Sequence, residues 1–389
     1  MWSVLGKLAG HSRPRRESSG RGHLARGALI QDVELTPHGS PRSRSRERRH
    51  LRRQRIRTAV LWLSVGNLAL MIVVTVLLRF CSERWWFSTA LLYLPRSPYA
   101  AGSILLLPLA MVYNRKAAVL SGVALFLATG PIMGLKVPLP SWGFSALVTE
   151  HHLRIVTCNV HGYQPAFDGL ISEMHSVVPD VVVFQEAFHD NPVLEKAFVG
   201  WHSMQVDEYF VAARYPITHV ASFRSQAYQR VAAVAFEVAD PQRRYRLINV
   251  HQTSPRKGLT DLRTDDAWDS NGRRTLIEST ENREAEAAAL RAFFEENRQG
   301  LPVVIAGDFN MPSDSSLYRA AWGDLENAFD SAGFGYGYTA PCGRNRFWPN
   351  ATPWSRVDHI LTTGEWQIQK CWIGSGNGSD HRLVAAILR

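Results

Sequence analysis

Six polar clusters punctuate the C-terminal part of the chain, and their repetition constrains the fold more than any other feature. In chain order they are Thr157-Cys158-Asn159, Gln185-Glu186, Asn249-Val250-His251, Gly307-Asp308-Phe309-Asn310, Val357-Asp358-His359 and Ser379-Asp380-His381. Residues 153–156, 181–184, 245–248 and 303–306, which lead into four of them, are mainly β-branched and aliphatic. Such a run ending in Asp, Asn, Glu or His reads as a buried strand that delivers a polar side chain at its tip. A single tip of this kind is as readily a turn residue or a helix cap. Six, all offering oxygen or imidazole, predict a converging hydrolytic site.

Around these runs the pattern alternates strand and helix. Further strands are expected at 209–213, 231–238, 367–373 and 384–388. Helices are expected at 165–177, with Leu170, Ile171 and Met174 on one face, and at 281–298, closed by Gly300-Leu301-Pro302. The polar stretch 254–278, which contains Gly and Asp, reads as a long loop on the active-site side. Pattern alone therefore supports an α/β domain with a substantial core.

The wording and order of the tips resemble the endonuclease/exonuclease/phosphatase superfamily, the fold of deoxyribonuclease I. Residues 154–159, Arg-Ile-Val-Thr-Cys-Asn, are similar to its opening strand with a metal-binding Asn, and 179–186 to its second strand with a metal-binding Glu. The segment 247–251 resembles its phosphate-contacting His segment, and 306–310 carries its Gly-Asp-Phe-Asn signature. Arg356-Val357-Asp358 resembles the start of its Arg-Ile-Asp-Tyr strand, and Ser379-Asp380-His381 its closing Ser-Asp-His. The resemblance covers 153–389 and implies a four-layer α/β sandwich, two packed β-sheets flanked by helices. Ala213 departs from the nuclease members, which carry Ser before the basic residue; Arg214 and Tyr215 remain candidates for substrate contact.

The chemistry follows from the residue types as well. Asn159, Glu186 and Asp380 offer hard oxygen ligands that suit Mg²⁺, with Mn²⁺ the alternative. Few protein ligands leave waters on such an ion, so a phosphate oxygen can displace one. Asp308 and Asn310 are two apart, and on an extended backbone they share a face. The carboxylate would then orient or deprotonate water while the amide donates to phosphoryl oxygens; an Asx turn before Met311-Pro312 is the other reading of Asn310. His251 supplies a further donor to the charge developing on phosphorus. Asp358 pairs with His381, fixing its tautomer and freeing the second nitrogen for proton transfer. Sequence leaves open whether Asp308 or His381 is the base. His359 should face away and is read as structural. The aromatic stretch 339–355, with Arg344, Arg346, Phe347, Trp348 and Trp354, reads as a surface loop burying its own aromatics or as a substrate-gripping loop.

The N-terminal part supplies the setting. Met1 to Arg57 holds 15 Lys/Arg against 4 Asp/Glu, whereas His151 to Arg389 holds 23 against 28. The catalytic region is thus mildly acidic, which weakens the case for tight duplex binding by clustered cations. Residues 1–57 read as a disordered Arg-rich tail flanking a membrane region at 58–136. Three helices are expected there, at 58–80, 99–113 and 118–135, the first meeting the roughly 20 apolar residues that a crossing needs. A linker at 137–152 leads into the catalytic domain at 153–389. The positive-inside rule puts the tail and Arg115-Lys116 in the cytoplasm, so three spans would export the catalytic domain. Of the four cysteines, Cys342 and Cys371 could bond after export, with two free thiols the alternative.

These observations predict a membrane-anchored, Mg²⁺-dependent phosphoesterase whose partners are the lipid bilayer and a phosphate-ester substrate. A phosphodiester fits best: nucleic acid, a phospholipid head group or a small diester. No stable protein partner is implied. The competing readings are a membrane-anchored binding protein with a degenerate hydrolase domain, and a nucleic-acid-binding protein acting through the Arg-rich tail.

Overall fold

The structure is a computed structural model that describes residues 41–138, 152–161, 167–188, 192–264, 270–342, 352–376 and 378–389. Four helices come first: α1 (Pro41–Val76), α2 (Trp86–Tyr93), α3 (Pro98–Tyr113) and α4 (Arg115–Leu127). α1 runs on through a π-turn at Leu77–Cys81 and a 3₁₀ turn at Ser82–Arg84, and α4 through a π-turn at Ala128–Ile132. Small residues face inward here: Ser64, Ser103, Ala110, Ala117, Ser121, Ala124 and Ala128 have no exposed surface. Trp62, Leu105, Met111, Val112 and Phe126 point outward and are 68–73% exposed. The helices are tied by Ser121 Oγ to Ser64 Oγ at 3.0 Å and by Asn67 Nδ2 to Ser103 Oγ at 2.8 Å. Two helical stretches are long and apolar enough to cross a membrane: Arg44–Arg84, which contains an 18-residue window of mean hydropathy 2.3, and Arg115–Ile132, with 1.2. α3 has 16 residues and falls short of that length.

The strands that follow are β1 (Leu153–Asn159), β2 (Val181–Gln185), β3 (His202–Val206), β4 (Tyr209–Ala213), β5 (Ile217–Arg224) and β6 (Val231–Ala239). They continue as β7 (Arg244–His251), β8 (Val303–Asp308), β9 (Glu326–Asn327), β10 (Asp358–Thr362), β11 (Ile368–Ile373) and β12 (Val384–Leu388). Two six-stranded sheets result, ordered β11-β12-β1-β2-β4-β3 and β5-β6-β7-β8-β10-β9. Both are mixed, since β1 and β2 are parallel, as are β7 and β8, while the other pairings are antiparallel.

Strand periodicity explains the layering, because successive side chains alternate faces. Ile155, Val183, Leu247, Val304 and Ile360 meet between the sheets. Their neighbours Val156, Val182 and Phe184 pack under α5 (Phe167–Val177) and α6 (Pro192–Ala197). On the other side Ile248, Val303, Ile305 and Leu361 pack with Leu290, Phe293, Phe294 and Trp322. These last four belong to α8 (Ser270–Arg298) and α9 (Ser316–Trp322), the former preceded by α7 (Arg256–Thr264). A short α10 (Ala328–Ala332) completes the helices among the described residues. Helix, sheet, sheet, helix is the four-layer sandwich, and each fully buried aliphatic contributes about 1.5–3 kcal/mol.

Several expectations need correction. Residues 41–57 are helical rather than disordered: Pro41 suits a helix start, Arg is a good helix former, and no breaker separates them from the apolar run. The tail before residue 41, and residues 139–151 of the expected linker, lie outside the described residues. The expected loop at 254–278 is mostly helix, α7 and the first turns of α8. Its glycines mark close packing instead of flexibility. A Cβ at Gly258 would lie 2.9 Å from Leu276 Cα, and one at Gly272 2.9 Å from the Asp261 carbonyl oxygen. All four cysteines are free, which is the second of the two readings held for Cys342 and Cys371. Arg53–Arg389 forms a single compact unit, so the helices after that point are not a separable anchor.

Candidate active site

The same alternation that builds the core aims the polar tips. On β1, Ile155 faces the second sheet, so Thr157 and Asn159 do too; on β7, Leu247 is followed inward by Asn249 and His251. On β8 the inward series is Val304, Ala306 and Asp308, and on β10 it is Ile360 and Asp358. The inter-sheet space therefore turns from apolar to polar toward one end. A hydrogen-bonded layer comes first: Gln185 Nε2 donates to Thr157 Oγ1 (3.1 Å) and Asn249 Oδ1 (2.7 Å). Asn249 Nδ2 in turn donates to the Phe184 carbonyl at 3.0 Å, tying the sheets together. Beyond this layer lie the ionisable groups.

Asp308 is the hub. It is 1% exposed, and its Oδ2 lies 3.8 Å from both His251 Nε2 and His381 Nε2. Asn159 Nδ2 donates to the same Oδ2 at 3.2 Å and to Glu186 Oε1 at 2.9 Å. The two imidazoles are oriented from behind by carboxylates. Glu208 Oε1 accepts from His251 Nδ1 at 2.8 Å, and Asp358 Oδ2 from His381 Nδ1 at 2.9 Å. Ser379 fixes the last tip, donating to the Asn159 carbonyl (2.6 Å) and accepting from the His381 amide (3.1 Å).

Burial and these partners set the charge states. Burial pushes the Asp308 carboxyl up to about 6, with Asp358 adding and the His381 charge opposing. Burial alone would depress His381, but Asp358 and Asp308 outweigh it and raise the ring to about 10. His251 is likewise lifted above its ordinary value, burial being overcome by the Glu208 hydrogen bond and the Asp308 charge. Burial raises Glu186, yet the Asn159 amide and the neighbouring His251 hold its carboxyl below the usual range. The site thus sets two imidazoles, both raised above their ordinary value, around a carboxylate raised to about 6.

A divalent cation fits the donor set. Among the described residues, Asp380 Oδ1 is buried and accepts no hydrogen bond, an orphaned carboxylate oxygen that a hard cation would satisfy. His161 stands close by, its Nδ1 3.3 Å from Glu186 Oε2 and 3.9 Å from Asp380 Oδ1. Asn159 turns its nitrogen toward the carboxylates, while its oxygen accepts from the His161 amide at 3.0 Å. Among the described residues a different carboxylate–imidazole group, Asp308, Asp358 and His381, has ligand atoms within 4.8 Å of one another. In that trio Asp358 and His381 are already hydrogen-bonded to each other.

All eight sequence-predicted site residues lie at this end of the sheets, but not all as expected. Asn310 is in the left-handed region (φ 50°) instead of extended. Its amide nitrogen donates to Gln252 O (2.8 Å) and Asp308 Oδ2 (3.1 Å), and its backbone N–H to Asp308 Oδ1 (2.8 Å). Both side-chain hydrogens are therefore spent on holding the loop and Asp308. Arg214 and Tyr215 are at the opposite end: Arg214 follows Ala213, which pairs with Val181 at the start of β2, and donates to the Pro179 carbonyl. His359 faces the outer layer, its ring tilted against that of Tyr318 with centroids 4.8 Å apart, and burial lowers it to about 4. Trp354 donates to the Tyr93 carbonyl at 3.1 Å, while Arg344, Arg346, Phe347 and Trp348 lie outside the described residues. Sequence reasoning missed Glu208 and His161. The first sits in a turn with no motif around it, and the second follows Asn159 by two in a turn the strand pattern does not reach.

Two mixed sheets packed face to face, with carboxylates and imidazoles gathered at one end, define a metal-dependent phosphoesterase. The sequence matches the model described as the Endonuclease/Exonuclease/phosphatase family over residues 156–381, more than half of the chain, and the chain belongs to that family. A comparison with curated proteins found no significant match. Similar solved structures include a 3′ phosphatase from Neisseria bound to a product DNA hairpin, at 18% identity and TM-score 0.45, covering 60% of this chain and 98% of that one. A mannosyl-6-phosphatase from Bacteroides thetaiotaomicron is 15% identical with TM-score 0.44, covering 61% and 99%.

Proposed function

We propose that this chain is a membrane-anchored, Mg²⁺-dependent phosphodiesterase that cleaves by in-line attack of water on phosphorus. The observation that carries this reading is Asp308 Oδ2, set 3.8 Å from two imidazole nitrogens that are each backed by a carboxylate. Asp308, raised to about 6, is the base that takes the proton of the attacking water. His381, raised to about 10, stays protonated and donates to a non-bridging oxygen, as does His251. Asn310 acts as the positioning group for Asp308. Glu186 and Asp380, with Asn159 beside them, would hold Mg²⁺, which when bound polarises a phosphoryl oxygen. The leaving oxygen departs on the side opposite the water.

The anchor is supported by the outward apolar faces of α1, α3 and α4. Three crossings, with Arg115-Lys116 in the cytoplasm and the catalytic domain exported, remain the reading that satisfies the positive-inside rule. The mildly acidic catalytic region favours a lipid head group or a small diester over duplex nucleic acid.

The test uses the purified full chain in detergent with Mg²⁺ and a panel of DNA, RNA, sphingomyelin, phosphoinositides and bis(4-nitrophenyl) phosphate. Turnover of at least one diester, abolished by EDTA and reduced at least about a hundredfold in Asp308→Asn, is expected. Full activity in EDTA or in Asp308→Asn would overturn the reading.

A further inference from the structure

Two strand ends bear the site: residues 251–253, where β7 runs out, and residues 308–310, where β8 does. Both are held by one buried arginine on α8. Arg283 is 2% exposed; its Nε donates to the Thr253 carbonyl (2.9 Å) and its Nη2 to the Asn310 carbonyl (2.9 Å). The same Nη2 donates to Tyr93 Oη at 2.8 Å, and the guanidinium carbon sits 5.4 Å from the Tyr93 ring centre. Tyr93 closes α2, which belongs to the N-terminal helices and not to the sandwich. Its hydroxyl donates onward to Glu83 Oε1 at 3.2 Å. Glu83, 7% exposed, is itself fixed by Ser315 Oγ (2.6 Å) and by the Ser316 backbone N–H and hydroxyl (2.8 Å each).

The backbone at Asn310 needs such support. A non-glycine residue with φ 50° persists only where its surroundings impose that conformation. If the Asn310 carbonyl is released, ψ at Asn310 is free to change, and the residue whose backbone N–H and side-chain amide aim Asp308 loses one of its anchors. Thr253 is equally dependent: its carbonyl is held by Arg283 and its amide by Glu286 Oε1 at 2.7 Å. His251 lies two residues upstream.

We propose that Glu83, Tyr93 and Arg283 form a chain of positioning residues by which the N-terminal helices complete the active site, so that catalysis depends on this particular chain of contacts and not on the strength of the helix interface as a whole. This rests on the reading of Asp308 as the base and goes beyond it by assigning a positioning duty to Glu83 and Tyr93, which lie outside the family-matched segment. A second tie between the same bodies supplies the internal control. Arg96 binds Asp314 through both guanidinium nitrogens (2.7 and 3.1 Å) yet touches neither Thr253 nor Asn310.

The experiment compares the full chain with its Tyr93→Phe, Arg283→Lys and Asp314→Asn variants, using bis(4-nitrophenyl) phosphate with Mg²⁺ and amide hydrogen exchange. Tyr93→Phe and Arg283→Lys should lower kcat about tenfold with KM within about twofold, because ground-state binding is untouched. Exchange in peptides covering 251–254 and 306–311 should accelerate in both. Asp314→Asn should loosen the interface while leaving kcat within about twofold. Unchanged exchange in those peptides in Tyr93→Phe overturns the proposal, as does an equal loss of kcat in Asp314→Asn. If the parent chain turns over no phosphate ester, the functional reading fails, while the exchange data still decide whether the helices position the loops.

Discussion

Gly307→Ala tests whether the site depends on the close approach of β7 and β8. Gly307 has φ +148°, and a Cβ there would lie 2.0 Å from the Val250 carbonyl oxygen. A normal contact needs more than 3 Å, so the two strands must separate by about 1 Å or the peptide must rotate. Overpacking of this kind costs about 1–3 kcal/mol and the strained backbone about 1–3 kcal/mol more, for a total of about 2–6 kcal/mol. The separation falls at the worst place, since the next register pair is His251 opposite Asp308. A misplacement of about 1 Å between groups that must act together costs on the order of a hundredfold in rate. The assays are chemical unfolding of the full chain in detergent and kcat for diester hydrolysis with Mg²⁺. The expected variant is destabilised by at least about 2 kcal/mol and slowed about a hundredfold. Stability within about 0.5 kcal/mol and unchanged kcat would refute the reasoning, because the strands could then part without disturbing the site.

Three further outcomes are expected. Glu186→Ala should raise the Mg²⁺ concentration needed for half-maximal turnover at least about tenfold or abolish turnover, read from a metal titration; an unchanged requirement would remove Glu186 from the ion site. His359 is buried neutral, its Nε2 against the Met311 carbonyl and its Nδ1 facing the Asn327 amide. With its ring lowered to about 4, the unfolded chain takes up a proton below about pH 6.5 while the folded chain does not. His359 should therefore contribute a fall of about 1.4 kcal/mol per pH unit from about pH 6.5 to pH 4, opposed below about pH 6 by proton uptake at folded Asp308, and His359→Gln should remove that contribution from unfolding curves. The same slope in the variant would assign it to other groups. For topology, a reporter that fluoresces only in the cytoplasm should be dark when fused after Arg389, and one active only after export should be silent when fused after Arg115. The reverse pattern at Arg389 would mean two crossings.

Local periodicity made most of the catalytic region legible. Runs of β-branched and aliphatic residues read as strands that deliver polar tips, and the period of two along β1, β7 and β8 is what puts those tips on the inward face. The same rule turned His359 away from the site. It failed at Asn310, because the strand ends at Asp308 and the next residues form a turn whose φ no alternation predicts. It failed again at 254–278, where Gly258 and Gly272 carry the composition of a loop but serve the close packing of α7 on α8.

What the amino-acid order determined by itself was the set of chemical groups and the face each would occupy, since both depend on residue type and a period of two. Tertiary structure alone decided which groups act on which. Glu208 orients His251 across 43 positions of chain, and Tyr93 reaches Arg283 across 190. No repeat or spacing encodes such pairs. They arise because packing brings distant segments together and because a buried donor or acceptor must find a partner wherever the fold supplies one. For that reason the N-terminal helices, which in sequence read only as an anchor, enter the structure as part of the support beneath the site.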